Sequence, residues 1–237
     1  MKLKKTLPPP WNRPLAVSTN AYRRYWTRSL GHIHGDMLAA TERWVNSGAV
    51  VWDIGANMGV FAFASAIRAG TAGRVYAFEA DLECASFIMR SQRWRRPGEA
   101  PVVICPFAVS EKSGTVAFEV SAYRSAASAI EGFGRFPSGG VIREVPAFSV
   151  DDLAKIYAAP TVVKIDVEGA ENLVLRGARE TLLRHRPLLV VECSGGELGK
   201  ETGEFLRSIG YQWKPWLSDD AFTQDGCPGG DMVAQSG

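Results

Sequence analysis

The segment VVWDIGANMGV, residues 50–60, is the part of the sequence that most constrains the fold. Three apolar residues lead into Asp53, and the small residues of GANMG precede an apolar, helix-prone segment. This order predicts a strand, a tight turn and the start of a helix. Glycines in such a turn allow positive φ angles and leave room for a ligand beside the backbone. The candidate ligand contacts in the turn are Gly55, Ala56, Asn57 and Gly59.

The acid directly before this turn favours a cationic ligand. A carboxylate disfavours a pyrophosphate but attracts an ammonium group where water is partly excluded. The turn also matches only part of the dinucleotide fingerprint G-x-G-x-x-G, whose acid belongs at the end of the second strand. S-adenosylmethionine carries an ammonium group, so Asp53 is a candidate contact for that cofactor.

The segment RVYAFE, residues 74–79, is a second apolar run that is closed by an acid. A carboxylate at the end of the second parallel strand can accept hydrogen bonds from both hydroxyls of a ribose. Asp53 or Glu79 alone is equally well explained as a helix cap or a solvated strand end. Together, on consecutive strands, they favour one nucleoside-like cofactor held at both ends.

Alternating apolar strands and helical segments begin at residue 50 and predict parallel strands joined by right-handed crossovers. The predicted strands are 50–54, 74–79, 101–105, 115–120, 141–148, 161–166, 187–192, 211–213 and 232–234. The predicted helices are 58–69, 82–94, 149–157, 169–183 and 197–209. The pattern is typical of an α/β sheet with helices on both faces.

Two regions lie outside this alternation. Residues 1–14 are rich in Lys and Pro and are expected to form a surface arm. Residues 15–237 are expected to form a single domain, with a helical cap over residues 15–48. Residues 121–140, rich in Ser, Ala and Gly, are interpreted as a flap beside the site.

The composition supports one large soluble domain. The chain has 237 residues and is 46% hydrophobic, which is enough for a substantial core. Its formal net charge of +2 is too small to indicate binding to nucleic acid. No window approaches the roughly 20 apolar residues of a membrane span, and the N-terminus lacks the apolar core of a signal peptide. We therefore expect a cytoplasmic protein. The four widely separated cysteines predict neither a zinc site nor a redox pair.

Four predicted strands end in acids, which are Asp53, Glu79, Asp166 and Glu192. In an open parallel sheet these ends share one edge, where such sheets bind ligands. Lys164 lies two residues before Asp166, so both side chains point to the same face of their strand.

The motifs DIGANMG, VYAFEA and KIDVEGAE, in this order, resemble the FkbM-type family of S-adenosylmethionine-dependent methyltransferases over roughly residues 36–192. The resemblance implies a class I, Rossmann-like fold with a mainly parallel seven-stranded sheet and a final antiparallel hairpin. It implies S-adenosylmethionine as methyl donor, S-adenosylhomocysteine as product, and O-methylation of a sugar, a glycan or another hydroxylated small molecule.

The resemblance also assigns positions in the site. The turn after the first strand lines the methionine end of the cofactor, and Glu79 contacts the ribose. Phe107 and Ala108 bound the adenine edge, and Asp166 lies beside the reacting methyl group.

A hydroxyl acceptor must lose its proton, so a general base is needed. The candidates are Asp166, His32 and His34, because the histidines lie in a segment that can fold over the cofactor and imidazole has a suitable pKa. The candidate acceptor contacts are Lys164, Glu168, Glu192, Ser125 and Ser128. A divalent metal ion could bind such carboxylates, but no spacing in the sequence indicates one.

Three other functions predict features that this sequence does not have. A nicotinamide-dependent oxidoreductase predicts a third glycine in the turn and no acid before it. A catalytically silent binding module on the same fold predicts loss of an acid or glycine from the turn. A nucleic-acid methyltransferase predicts a basic groove and, for base amines, an Asn- or Asp-Pro-Pro-aromatic segment after the fourth strand.

Overall fold

The computed structural model describes residues 2–18, 27–120, 128–132, 140–193, 196–226 and 230–237. The strands are β1 (Lys2–Thr6), β2 (Pro14–Ser18), β3 (Val50–Ile54), β4 (Arg74–Phe78), β5 (Val102–Cys105), β6 (Ala108–Val109), β7 (Gly114–Val120), β8 (Ala129–Ile130), β9 (Val141–Phe148), β10 (Val162–Ile165), β11 (Leu188–Val191), β12 (Tyr211–Pro215) and β13 (Met232–Ser236). The helices are α1 (Leu30–Ile33), α2 (Gly35–Trp44), α3 (Val60–Ala69), α4 (Leu82–Ser91), α5 (Val150–Leu153), α6 (Glu171–Arg176), α7 (Arg179–His185) and α8 (Glu197–Ser208).

A seven-stranded sheet in the order β12-β13-β11-β10-β3-β4-β5 forms the centre of the fold. Strands β11, β10, β3, β4 and β5 run parallel to one another. Strand β13 is antiparallel to both β11 and β12, which confirms the expected final antiparallel pair. The sheet is therefore the mainly parallel, class I Rossmann-like sheet that the motifs imply.

Helices cover both faces of this sheet. Successive strand residues point to opposite faces, so each strand contributes side chains to two cores. Val51 and Val75 pack into a core with α2, α3 and α4. Trp52 and Tyr76, the next residue on each strand, pack into a second core with α5, α6, α7 and α8. The strand residues on the α3 side of the sheet include Asp53 and Lys164, which form an ion pair.

A smaller four-stranded sheet, in the order β6-β9-β7-β8, contains the two strands predicted at 115–120 and 141–148. Strands β7 and β9 pair antiparallel along their whole length. Within the predicted flap, β8 pairs with β7. Residues 121–127 and 133–139 of that segment lie outside the described residues, so the flap stays a prediction.

The N-terminal segment corrects the predicted surface arm. Strands β1 and β2 form an antiparallel hairpin, and Leu7, Arg13 and Val17 are buried. The backbone N–H of Ala16 donates to the hydroxyl of Ser91 on α4, at 2.8 Å. The consecutive prolines occupy the connection between the strands, where no ladder hydrogen bonds are needed.

The predicted helical cap over residues 15–48 is also corrected at its start, because β2 extends to Ser18. The ten-residue helix α2 lies in the second half of that range. A further correction concerns the helix predicted at 169–183, which is divided into α6 and α7 at Gly177. A Cβ atom at Gly177 would lie 2.4 Å from the Ser110 carbonyl oxygen, so this break serves packing against a distant loop. Among the described residues, none of the helices combines the length and apolar character that a membrane crossing requires.

Candidate functional site

The acids that follow four neighbouring strands converge at the carboxyl edge of the sheet, as predicted. Asp53 is the fourth residue of β3, and Glu79, Asp166 and Glu192 directly follow β4, β10 and β11. These four strands are adjacent in the order β11-β10-β3-β4. The candidate site is therefore built on the ends of parallel strands, where ligands of open α/β sheets bind.

The turn between β3 and α3 has the backbone conformation that its small residues predict. The φ angles are +75° at Gly55, +50° at Asn57 and +81° at Gly59. The N–H groups of Gly55 and Ala56 both donate to the carbonyl of Phe78, each at 3.0 Å. Gly59 caps the ten-residue helix α3, whose first N–H groups face the turn.

Glu79 connects this turn to the next one. Its Oε2 accepts a 2.6 Å hydrogen bond from the N–H of Asn57, and its Oε1 accepts a 2.8 Å bond from the N–H of Asp81. Burial raises the pKa of Glu79 to about 7, although both hydrogen bonds act in the opposite direction. Each carboxylate oxygen can accept more than one hydrogen bond, so Glu79 can also receive ribose hydroxyls.

Lys164 lies in the centre of the site. Its ammonium donates to the carbonyl of Gly55 at 2.7 Å and lies 3.2 Å from Oδ1 of Asp53 and 3.2 Å from Oδ2 of Asp166. Burial alone lowers the pKa of Lys164, but Asp166 and Asp53 together outweigh burial and raise it. Burial raises the pKa of Asp53, while Lys164 lowers it. The cation that faces Asp53 is thus a lysine of the same chain, and contact between Asp53 and a ligand stays a prediction.

Asp166 and Glu192 form a carboxyl pair at the ends of β10 and β11. The Asp166 side chain is 17% exposed, whereas Asp53 behind it is fully buried. Burial, a hydrogen bond to Asp166 and the charges of Asp166, Glu168 and Asp231 raise the pKa of Glu192 to about 9. The raised pKa of Glu192 favours one proton shared between Glu192 and Asp166 near neutral pH.

Asp231 is a member of this cluster that sequence reasoning missed. It directly precedes β13, whose first residue, Met232, lies opposite Val191 of β11. The Gly-rich C-terminal region has little alternation of apolar and polar residues. The predicted last strand, 232–234, was the sequence feature that could have pointed to Asp231. Antiparallel pairing with β11 brings Asp231 to the same edge as Glu192.

The turn after β10 is held by a buried acid from the helix that follows. Glu168 has a φ angle of +58°, which is uncommon for a residue with a side chain. Oε1 of Glu171 accepts hydrogen bonds from the N–H groups of Val167 at 3.2 Å and Gly169 at 3.0 Å. Glu171 thus stabilises the conformation that carries Glu168 at the rim of the site.

The residues assigned to the adenine edge lie beside β5. The Phe107 ring packs against Phe148, with ring centroids 4.7 Å apart, and against Phe78 at 5.8 Å. Ala108 is buried and begins β6. The Ser128 hydroxyl donates to Oδ2 of Asp81 at 3.2 Å, which places Ser128 near the Glu79 side of the edge. Ser125 lies outside the described residues.

The two histidines lie on the helices before β3. His32 is exposed on α1, and His34 joins α1 to α2, which packs against α3. Their role as a base stays a prediction. In the part of the chain that the structure describes, no group of three or more His, Cys, Asp or Glu residues is arranged to hold a metal ion.

The sequence is similar to that of a known family and of a characterised relative. The model of the methyltransferase FkbM domain matches residues 53–213. The hexuronic acid methyltransferase AglP of Haloferax volcanii is 29% identical over 159 residues, which are 66% of this chain and 61% of AglP. The chain thus spans less than two thirds of the length of this relative.

Two solved structures share the fold. Aeropyrum pernix fibrillarin, solved with natively bound S-adenosyl-L-methionine, has a TM-score of 0.50 and 17% identity, over 84% of this chain and 73% of that one. M. jannaschii TYW2 in complex with AdoMet has a TM-score of 0.51 and 9% identity, over 99% of this chain and 84% of that one. At these identities the likeness establishes the fold alone.

Proposed function

Because this chain belongs to the FkbM methyltransferase family, we propose that it transfers a methyl group from S-adenosylmethionine to a hydroxyl of a sugar or another hydroxylated small molecule. The observation that carries this proposal is the placement of Glu79 and Asp166 at opposite sides of the Gly55–Gly59 turn. Glu79 contacts the turn through Asn57, and Asp166 is joined to it through Lys164 and Gly55.

The charge of this edge supports a cationic methyl donor. Asp166 lies next to the turn, as does Glu79, which is partly ionised near neutral pH because its pKa is about 7. Lys164 offsets only part of the negative charge because it also pairs with Asp53. A sulfonium placed between them gains electrostatic stabilisation in a site from which water is partly excluded. A pyrophosphate in the same turn would face repulsion, which disfavours a nicotinamide dinucleotide.

S-adenosylmethionine supplies an electrophilic methyl group on a good leaving group, so the task of the protein is mainly to position the acceptor in line. Asp166 is a partly exposed carboxylate of the edge and can accept or orient the acceptor hydroxyl proton. The new bond joins the acceptor oxygen to the methyl carbon as the carbon–sulfur bond breaks. The hydroxyl proton passes to Asp166.

A sugar acceptor is proposed from the relative AglP, which is described as a hexuronic acid methyltransferase. The carboxyl edge also has several hydrogen-bond acceptors, namely Asp166, Glu168 and Asp231, that suit a ligand with many hydroxyl groups. Asp166 and Glu192 are assigned to the acceptor side, and Glu79 to the ribose.

The test combines binding with turnover. Titration calorimetry with S-adenosylhomocysteine should detect binding by the wild type, and Glu79→Ala should weaken it by roughly tenfold or more, since a hydrogen bond to a charged group contributes about 1.5–3 kcal/mol. Glu83→Ala, which removes an exposed carboxylate in the first turn of α4, is the matched control and should bind like the wild type.

Turnover is measured with radiolabelled S-adenosylmethionine and the methyl glycosides of glucuronic acid, galacturonic acid and glucose. Transfer of label to at least one glycoside supports the proposal. Absence of S-adenosylhomocysteine binding by the wild type would overturn it. Binding without transfer to any hydroxylated acceptor would favour a catalytically silent binding module.

A further inference from the structure

The ammonium of Lys164 has three hydrogen atoms and three acceptors. They are the carbonyl of Gly55 at 2.7 Å and the carboxylates of Asp53 and Asp166, each at 3.2 Å. The contact with Gly55 is a hydrogen bond and the other two are ion pairs, so the ammonium is already surrounded by acceptors of its own chain. Lys164 is also only 3% exposed. Both facts argue against the sequence-based assignment of Lys164 as a direct acceptor contact.

We propose instead that Lys164 is a positioning residue that fixes the carboxylate of Asp166 beside the acceptor, keeps it ionised and connects it to the Gly55–Gly59 turn. This inference rests on the proposed function, because it assigns Asp166 to the acceptor side of the site. It adds a role for a buried side chain that touches neither cofactor nor acceptor.

The backbone geometry supports this role. Lys164 lies opposite Asp53 in the parallel register of β10 and β3, and Asp166 lies two residues later on the same face. The backbone N–H of Asp166 donates to the carbonyl of Ile54 at 3.1 Å, which continues the ladder beyond the strand. The ammonium therefore joins rigid strand ends rather than mobile loops.

The charge balance explains why Asp53 is buried behind the site. A buried ammonium needs a compensating carboxylate, and Asp53 supplies it from behind while Asp166, 17% exposed, faces the edge of the sheet. Glu192 contacts Asp166 from β11 through a hydrogen bond. Asp166 is thus held by an ammonium on one side and by the Glu192 carboxyl group on the other. The ammonium favours the ionised form of Asp166, and both contacts restrict its rotation.

Carboxyl ¹³C NMR of protein labelled at the Asp and Glu side chains tests this role without any acceptor. The Asp166 resonance is assigned by its loss in Asp166→Asn. In Lys164→Met, Asp166 should titrate about one to three pH units higher than in the wild type, because an opposite charge within about 4–6 Å has been removed. In Asp53→Asn it should titrate lower, because a competing carboxylate has been removed.

The opposite directions of these two shifts separate positioning from general damage. Lys164→Met leaves Asp53 buried without its cation, which can prevent folding, so circular dichroism accompanies each titration. If that variant does not fold, Asp53→Asn and the charge-matched double variant Asp53→Asn/Lys164→Met carry the test. The double variant should again titrate higher than Asp53→Asn alone.

Turnover provides the second measurement. If the wild type methylates one of the three glycosides, the acid limb of its pH–rate profile should move with the Asp166 titration in each variant. Unchanged titration of Asp166 in both Lys164→Met and the double variant would overturn the role of Lys164 while leaving the proposed function intact. Absence of S-adenosylhomocysteine binding by the wild type would instead overturn the proposed function.

Discussion

Gly55 packs so closely against Asp166 that a Cβ atom on Gly55 would lie 1.8 Å from the Asp166 carbonyl oxygen. The turn after β3 and the turn after β10 are therefore in direct backbone contact. Lys164 adds a hydrogen bond to the carbonyl of the same glycine. The Gly55–Gly59 turn and the candidate base are thus packed directly against each other.

Substitution of Gly55 measures this contact. Gly55→Ala combines an unfavourable positive φ angle with a clash, whereas Gly48→Ala, at a φ angle of +79° with nothing within 4 Å of its Cβ position, has only the unfavourable angle. We expect Gly55→Ala to lower the free energy of unfolding by roughly 1–3 kcal/mol more than Gly48→Ala, which is the usual cost of overpacking. Urea denaturation measures both. Equal losses would contradict the packing account.

Asp166→Asn tests the candidate base while keeping its shape. The variant should fold and bind S-adenosylhomocysteine to within a modest factor, while methyl transfer falls by roughly 10²-fold or more because the basic group is lost. Glu204→Gln, on the exposed side of α8, is the control for a lost carboxylate away from the site. Near-normal turnover of Asp166→Asn would move attention to His32, His34 and Glu192.

The proton on Glu192 should make stability depend on pH. Its pKa in the folded protein is about 9, above the ordinary value of 4.5, so the folded state binds a proton that the unfolded state releases. The contribution of Glu192 to the free energy of unfolding is complete below about pH 4.5 and is lost as the pH rises toward 9. The free energy of unfolding of Glu192→Gln, measured in urea at pH 6 and pH 9, should therefore fall less than that of the wild type. Identical decreases would show that Glu192 does not carry the proton.

The buried ion pair of the N-terminal hairpin should contribute strongly to stability. Nε of Arg13 lies 3.0 Å from Oε2 of Glu99, and the two side chains are 0% and 4% exposed. The Arg13 guanidinium also lies 3.7 Å from the centroid of the Phe63 ring on α3. Arg13→Met leaves a buried carboxylate with one fewer partner and should cost roughly 3–5 kcal/mol in guanidinium chloride denaturation.

Arg43→Met is the matched control, because the Arg43–Asp219 pair is exposed and such pairs contribute only about 0–1 kcal/mol. The double variant Arg13→Met/Glu99→Leu should recover part of the loss, since it removes both buried charges. A loss at Arg13 no larger than that at Arg43 would contradict a structural role for the buried pair.

The sequence by itself determined the elements whose signals are local. Short, mostly apolar segments followed by an acid predicted β3, β4, β10 and β11, and the small residues at 55–59 predicted the turn and the start of α3. Because parallel strands place their carboxyl ends at one edge, the convergence of Glu79, Asp166 and Glu192 also followed from the sequence. The FkbM-type resemblance rested on the same local motifs.

Only the tertiary structure decided how these elements contact each other. The pairing of Lys164 with Asp53 depends on the register of β10 against β3. The raised pKa of Glu192 depends on burial, on Asp166 and, to a smaller extent, on Asp231 from the end of the chain. The break at Gly177 likewise depends on a loop far earlier in the chain, at Ser110. Contacts and burial between distant segments determine these ion pairs, pKa shifts and close approaches. A local residue pattern does not specify such contacts or such burial.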